Sequence, residues 1–302
     1  MSNRDIKDKT VLVTGGSGFI GSALINKLVE LGALVHGVSR NEPKNLGGAT
    51  WHSGDLSDAA FTDSLIGTLK PEYVFHLAGH VVGLREVSQV RPTLESNFLT
   101  TINLLLSLKK YGCKRMILSG SLEEPSVGKG TLLPSSPYAA SKFAASIYSL
   151  MFQELYKLPV TIARIHMGYG PGMQNMKKLL PYLILTTLKG ETPKLSSGSR
   201  MLDWIYIDDI AIGLIHMMDA PGIDGDTIDL GSGRLTSIRE IAEMTVRMVN
   251  PDITPEFGAL EDRPLEQESK TNIEETYQKI GWKAETGLAQ GLEKMIESFR
   301  QQ

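Results

Sequence analysis

One cysteine in 302 residues excludes an internal disulfide framework and suits a reducing cytoplasm. Cys113 stands just before an apolar strand pattern, where a buried structural thiol is expected rather than a nucleophile. Neither sign of charge dominates. With 31 Lys and Arg against 34 Asp and Glu, the net charge is −3, so nothing electrostatic favours nucleic acid or a membrane surface as partner. Long apolar runs are missing too. The longest, residues 179–188, is interrupted by Pro181, Tyr182, Thr186 and Thr187 and is too short to span a bilayer. The first nine residues are polar, carry both signs of charge and lack the apolar stretch of a signal peptide. There are no internal repeats and no low-complexity linker. No grouping of His, Cys and carboxylates has metal-ligand spacing, so no metal is expected.

What remains is ordinary globular material, 41% hydrophobic and 22% charged, long enough for one or two domains. Short apolar runs read as strands at residues 11–14, 34–38, 73–77, 116–119 and 160–165. Helical patterns lie between them at 20–31, 59–69, 93–111 and 137–156. That alternation predicts an α/β fold with a doubly wound parallel sheet of Rossmann type. After about residue 168 the pattern changes. A helix reads at 177–189, an apolar run at 204–207, a helix at 209–219 and a strand at 227–230, with helices at 237–248 and 287–300. The expected division is a dinucleotide-binding domain over 1–167 with a return segment at about 204–232, and a smaller interleaved substrate domain in the rest of 168–302.

The loop Thr14-Gly15-Gly16-Ser17-Gly18-Phe19-Ile20-Gly21 joins the first strand to the first helix. Strand, glycine turn and helix in that order form a dinucleotide pyrophosphate site. The glycines permit a tight turn and close approach of backbone to phosphate, and the helix N-terminus faces the anion. The second strand ends Val38-Ser39-Arg40-Asn41, without the carboxylate that holds the ribose 2′-hydroxyl in an NAD site. Arg40 can pair with a 2′-phosphate and Ser39 and Asn41 can donate to it, so NADP(H) is expected in preference to NAD(H); the alternative for Arg40 is a solvated loop charge.

A second pattern is Tyr138-Ala139-Ala140-Ser141-Lys142. Tyr138 and Lys142 share a helix face one turn apart, where an ammonium favours phenolate and is expected to lower the tyrosine pKa toward neutrality. Upstream, Ser121 sits at the carboxyl end of a strand, where its hydroxyl can hydrogen-bond a substrate carbonyl. Strand-end serine, tyrosine and lysine make a coherent site.

With these residues in place, the chain resembles the extended short-chain dehydrogenases/reductases over nearly its whole length, within the group of nucleotide-sugar epimerases, dehydratases and ketoreductases. Further matches are Asp55-Leu56, His76-Leu77-Ala78-Gly79, Asn97, Arg164 with Tyr169-Gly170-Pro171, Asp203 to Asp209, and Ile280-Gly281-Trp282. The resemblance implies that Asp55 and Leu56 contact the adenine and that Ala78 and Gly79 border the cofactor ribose. It also implies that Lys142 holds the nicotinamide ribose and that the substrate is a nucleotide sugar. Asn97 reads as structural, and Arg164 receives no chemistry. The resemblance further implies a homodimer through the helices at 93–111 and 137–156; the alternative is that their apolar residues face the sheet.

Departures from the group narrow the reaction. The acidic pair of the 4,6-dehydratases falls here on Leu122 and Glu123, so the first acid is missing. Glu123 is then either a C5 proton base or a polar wall of the sugar pocket, with the wall favoured because one carboxylate supplies only one of two proton transfers. The asparagine usual before Tyr-Gly-Pro is replaced within His166-Met167-Gly168, and the arginine usual before Asp203 is Leu202. Arg200 either substitutes for it or is a surface charge. Arg263, in Asp262-Arg263-Pro264, matches a second diphosphate arginine, and His80 is a candidate for the substrate pocket. The expected function is NADP(H)-dependent reduction of a 4-keto hexose with Ser121 polarising the carbonyl and Tyr138 as acid. The alternatives are an epimerase or 4,6-dehydratase and, in another class, a non-catalytic NADP-sensing protein.

Overall fold

The structure is a computed structural model that describes residues 6–40, 47–125, 132–172, 175–263, 265 and 268–301. Asn41 and Pro264, invoked above, lie outside the described residues. The first part of the chain runs β1 (Thr10–Thr14), α1 (Phe19–Glu30), β2 (Leu34–Ser39), β3 (Thr50–Ser53), α2 (Ala59–Leu69) and β4 (Tyr73–His76). A helical turn α3 (Val90–Thr93), a π-helical segment (Leu94–Leu99) and α4 (Thr100–Tyr111) precede β5 (Arg115–Ser121), α5 (Pro137–Tyr156), β6 (Val160–Ile165) and β7 (Met167–Tyr169). Then come α6 (Leu179–Leu188), β8 (Lys194–Leu195), β9 (Met201–Tyr206), α7 (Ile207–His216), β10 (Thr227–Leu230) and β11 (Leu235–Ser237). The chain ends with α8 (Ile238–Val249), β12 (Glu256–Phe257), α9 (Ile273–Ile280) and α10 (Leu288–Arg300).

Seven strands form one parallel sheet in the order β10-β6-β5-β4-β1-β2-β3. The strand order reverses between β1 and β4, which opens a crevice at their carboxyl ends. Side chains alternate across the sheet, and the two faces have separate cores. Val11, Val13, Phe75 and Ile117 pack under α1 and α7, while Leu12, Val74, Met116 and Leu118 pack under α2, α4 and α5. Each such fully buried side chain contributes about 1.5–3 kcal/mol of transfer free energy. Doubly buried strands of this kind explain why the apolar runs were readable from sequence.

A three-stranded sheet, β11-β9-β7, stands beyond the carboxyl ends of the main sheet's strands. Leu202, Trp204 and Tyr206 of β9 pack with α6, α8 and α10 into a third core. Asp203, on the opposite side of β9, is fully buried and accepts the N–H groups of Ser232, Gly233 and Thr271 as well as the Ser232 hydroxyl. It therefore pins the exit of β10, and the segment at Thr271, to β9. The sequence pattern predicts one helix over 93–111, but the chain there contains the π-helical segment. Asn97 sits in that segment and spends its side chain on other elements. Its Oδ1 accepts the His80 N–H at 2.6 Å and its Nδ2 donates to Ser141 Oγ at 2.8 Å.

Candidate active site

The turn after β1 is shaped by glycines that admit no side chain. Gly15 has φ 67°, and a Cβ there would lie 2.6 Å from the Ala78 nitrogen. A Cβ on Gly21 would lie 2.2 Å from the Gly15 carbonyl oxygen. Gly18 closes the turn, donating to that carbonyl at 3.0 Å, and is the N-cap of α1. No side chain caps α1 and no acid stands in its first turn, so the positive end of the helix is left for an anion. This cradle fits a dinucleotide pyrophosphate. Ser17 and Phe19 flank it half-buried, Phe19 facing Gly168, while Ile20 packs onto the cores below. Thr14 Oγ1 accepts the Ala78 N–H at 3.2 Å, so the glycine loop and Ala78-Gly79 border one crevice.

At the end of β2, Ser39 is half-buried and Arg40 is exposed. The Ser39 carbonyl accepts the Gly54 N–H at 3.0 Å, which ties β2 to the exit of β3. The Ser57 N–H holds the Asp55 carboxyl below its ordinary range, and the Arg40 charge adds to the same effect. Arg40 and Asp55 thus lie near enough at the rim for their charges to interact. Leu56 buries its side chain in the core under α2, and its carbonyl accepts from Asn103 and Thr62. Only its backbone is left to meet an adenine. The Trp51 ring lies against both Gly16 and Gly37, where a Cβ would approach it to 3.0 Å and 2.6 Å.

The candidate catalytic cluster forms where β5 meets α5. Ser136 caps α5, accepting the Ala139 N–H at 3.1 Å, and Pro137 opens its first turn, which places Tyr138 and Lys142 on successive turns. Ser121 is buried, and its Oγ accepts the Glu123 N–H at 3.2 Å. Lys142 Nζ donates to Ser119 Oγ at 3.1 Å, and Ser119 donates onward to the His76 carbonyl at 3.1 Å. Burial pulls the Lys142 ammonium down to about 8 against the opposing charge of Glu124. Burial pushes the Tyr138 hydroxyl up to about 12; interaction with the Ser121 side chain opposes this, and the charges of Glu124 and Glu123 add to it. The tyrosine pKa therefore moves opposite to the expected lowering. Helical spacing places the lysine nearby, but burial and two carboxylates decide the direction. His76 is buried between Thr14 and Thr101, and burial with the nearby Lys142 charge lowers its pKa to about 3, so it stays neutral.

On the open side, Arg200 Nη2 donates to Glu123 Oε1 at 2.8 Å, an ion pair with both side chains largely buried. Two substrate-side candidates are thereby joined, and Arg200 is not a surface charge. Its backbone extends the β9–β11 ladder through the Ile238 N–H, putting it in strand alternation with Leu202, whose side chain is core. Arg263 is exposed and reaches the loop after β4, where a Cβ on Gly83 would lie 2.9 Å from its Nη1. Asp262 beside it anchors that approach by accepting from the Ser197 N–H and hydroxyl. His80 lies on the same loop, its Nε2 3.1 Å from Gln89 Oε1. Leu122 is buried among the apolar residues of the third core and offers no acid. Arg164 pairs with Asp229, beside His166, as an ion pair apart from the tyrosine. Two residues that the sequence reading passed over belong to the cluster, Ser119 and Glu124. The signal for Glu124 was present as a second acid directly after Glu123.

Among the described residues no group of three or more His, Cys, Asp or Glu is placed to hold a metal ion, and no helix is long and apolar enough to cross a membrane. The chain is 29% identical to a UDP-glucose 4-epimerase of Mycolicibacterium smegmatis, over 96% of this chain and 98% of the relative. It is also 29% identical to a probable dTDP-glucose 4,6-dehydratase of Sinorhizobium fredii, over 96% of this chain and 92% of the relative. The crystal structure of the Bordetella bronchiseptica enzyme WbmF in complex with NAD+ and UDP superposes with a TM-score of 0.81 at 28% identity, covering 100% of this chain and 94% of that one. Residues 11–231 match the family described as NAD dependent epimerase/dehydratase. Glycine cradle, strand-end serine, tyrosine–lysine helix and seven-stranded sheet agree with that match, and the chain is a member of the NAD-dependent epimerase/dehydratase family.

Proposed function

We propose that the chain is an NADP(H)-dependent ketoreductase acting on a nucleotide-linked 4-keto hexose, most simply a 6-deoxyhexose. The observation that carries the reading is the rim of β2, where Ser39 and the exposed Arg40 stand in place of a carboxylate. Arg40 and Ser39 would bind the adenosine 2′-phosphate there, and Gly15, Ser17, Gly18, Phe19, Ile20 and Gly21 would surround the pyrophosphate. Asp55, the Leu56 backbone, Ala78 and Gly79 would line the adenosine and ribose. The bound cofactor supplies the hydride.

Ser121 hydrogen-bonds the substrate carbonyl through its hydroxyl, which is held in place by the Glu123 N–H. Tyr138 delivers a proton to the forming alkoxide. A phenol held near 12 is protonated at neutral pH, the form a proton donor needs and a proton-abstracting base does not have. Lys142 orients the ribose and places positive charge beside the reacting oxygens. Glu123, held by Arg200, forms a polar wall of the sugar pocket, and Arg200 and Arg263 meet the substrate phosphates. His80 lines the same pocket from the loop after β4.

A second reading is supported by the names of the relatives, which are epimerases and dehydratases, and by the NAD+ bound to WbmF. On that reading the hydride returns to the substrate and no net reduction occurs. The loss of one dehydratase acid at Leu122 and the ion pairing of the other favour reduction. Incubation of the protein with nucleotide 4-keto sugars and NADPH separates the two. A reductase consumes NADPH in proportion to sugar, whereas a redox-neutral product changes isomer or mass without consuming cofactor.

The nucleotide domain is assigned to 1–167 with return segment 204–232, and the substrate domain to the remainder of 168–302. The protein is proposed to act as a homodimer. Leu106 on α4 and Ile147 on α5 are 56% and 46% exposed, and both are apolar positions on the two helices that pair in similar proteins. A single cysteine and a reductive cofactor suit a cytoplasmic setting.

A further inference from the structure

Two acids follow Ser121 at a one-residue interval, and their side chains have different partners. Glu123 pairs with Arg200 across the crevice. Glu124 turns back. Its Oε1 accepts the Ser121 N–H at 2.7 Å, and its own N–H donates to the Ser121 carbonyl at 3.1 Å. These two bonds close the turn from 121 to 124 on itself, with the Ser121 hydroxyl inside it. Glycine at 120 makes room for this, since a Cβ there would lie 3.2 Å from Glu124 Oε1.

Glu124 is 8% exposed, and burying a carboxylate is far more costly than burying a valine or methionine in the same turn. Its charge must therefore answer to something nearby. The groups that face it are Tyr138, Lys142 and Ser146 from α5, Arg164 from β6 and Ser121 from β5. Lys142 is in turn faced by His76 from β4 and Ser119 from β5.

We propose that Glu124 is a positioning residue of the Ser121–Tyr138–Lys142 centre, fixing the Ser121 backbone and setting a carboxylate charge beside Lys142. The inference rests on the reading of that centre as the hydride-transfer site. Burial draws Lys142 down to about 8 even with the Glu124 charge working against it. The same charge adds to the burial that keeps Tyr138 protonated. Without it both groups lose their protons at lower pH. Burial raises the Glu124 carboxyl itself, while the Lys142 and Arg164 charges and the hydrogen bonds from Ser146 and the Ser121 backbone work against that rise.

Glu124→Gln keeps an acceptor for the Ser121 N–H and removes the charge; Glu124→Val removes both. In the NADPH-bound enzyme, the alkaline limb of the kcat/KM profile of Glu124→Gln is expected to move by about one pH unit toward acid, with NADPH affinity unchanged. Glu124→Val is expected to lose a further tenfold or more in kcat at every pH. A Gln profile that superimposes on that of the parent overturns the proposal. A readout independent of turnover is the Lys142 titration midpoint by NMR of labelled lysine, assigned with Lys142→Met. That midpoint is expected to fall in Glu124→Gln, and an unchanged midpoint overturns the inference even if no sugar tested is a substrate. If Glu124→Gln does not fold, Glu124→Asp serves, with a midpoint close to the parent's expected; a midpoint as low as burial alone would give overturns the inference.

Discussion

Tyr138 and Lys142 stand one helical turn apart on α5, and the reaction assigned to them depends on which proton each holds. With the phenol near 12 and the ammonium near 8, Tyr138 is protonated and Lys142 is mostly charged at pH 7. Tyr138→Phe removes only the acid. It is expected to lower kcat by about 10²–10⁴-fold while the dissociation constant for NADPH, measured by fluorescence titration, changes little. At the β2 rim, Arg40→Glu replaces a phosphate partner by a repelling carboxylate. It is expected to weaken NADPH at least ten- to a hundredfold and to leave NADH binding within a few-fold, as read by calorimetry. The serine, tyrosine and lysine were legible because each is marked locally, by a strand end or by helical spacing. The direction of the Tyr138 shift was not, because burial and the charges of Glu123 and Glu124 are tertiary facts. Arg200 was likewise undecided by sequence, since its partner Glu123 is 77 residues away.

Elements were legible in proportion to their burial. The strands of the main sheet with continuous apolar runs, such as β5 and β6, were found, and α5 was bounded at the same residues, 137–156, because Ser136 and Pro137 signal its start. β3 reads Thr-Trp-His-Ser, and β7, β8, β11 and β12 have two or three residues each, too few for a period to show. α9 is an eight-residue helix in a polar stretch. The π-helical segment follows from where Asn97 finds partners, which no local pattern encodes. One stability prediction belongs here. Strands β6 and β10 are joined by Arg164 and Asp229 as well as by their ladder. Burial pushes the Asp229 carboxyl upward, but the Arg164 hydrogen bonds, aided by His166, outweigh it and hold it at about 2 rather than 3.8. A carboxyl depressed in the folded state stabilises above its ordinary pKa and ceases to do so as pH falls through the folded value. The difference in unfolding free energy between the parent and Asp229→Asn is therefore expected to be full above pH ~4 and to shrink by about 2 kcal/mol on approaching pH ~2. Urea denaturation at stepped pH measures it.

In the molecule as a whole, the glycine loop of β1, the rim of β2, the Ser121 turn of β5 and the start of α5 all lie at the carboxyl ends of the parallel strands, the side of the β1–β4 crevice. The apolar positions on the outer faces of α4 and α5 predict the assembly. If the proposed dimer forms through these helices, Leu106→Arg is expected to convert it to a monomer in sedimentation velocity with the far-ultraviolet dichroism unchanged. The family was legible from motif and spacing over most of the chain. The acceptor was not, because the residues proposed to meet it, Glu123, Arg200 and Arg263, are far apart in sequence, and Leu122, Met167 and Leu202 depart from the usual pattern.

The central claim is that this crevice carries out a net reduction with NADPH. The most direct measurement is a single-turnover and steady-state titration of nucleotide 4-keto-6-deoxyhexoses with NADPH and with NADH, following nicotinamide absorbance and product mass together. One NADPH oxidised per sugar, a product heavier by two hydrogens and a clear preference over NADH are the predicted result. An isomerised or dehydrated sugar formed with no net oxidation of either cofactor would contradict it.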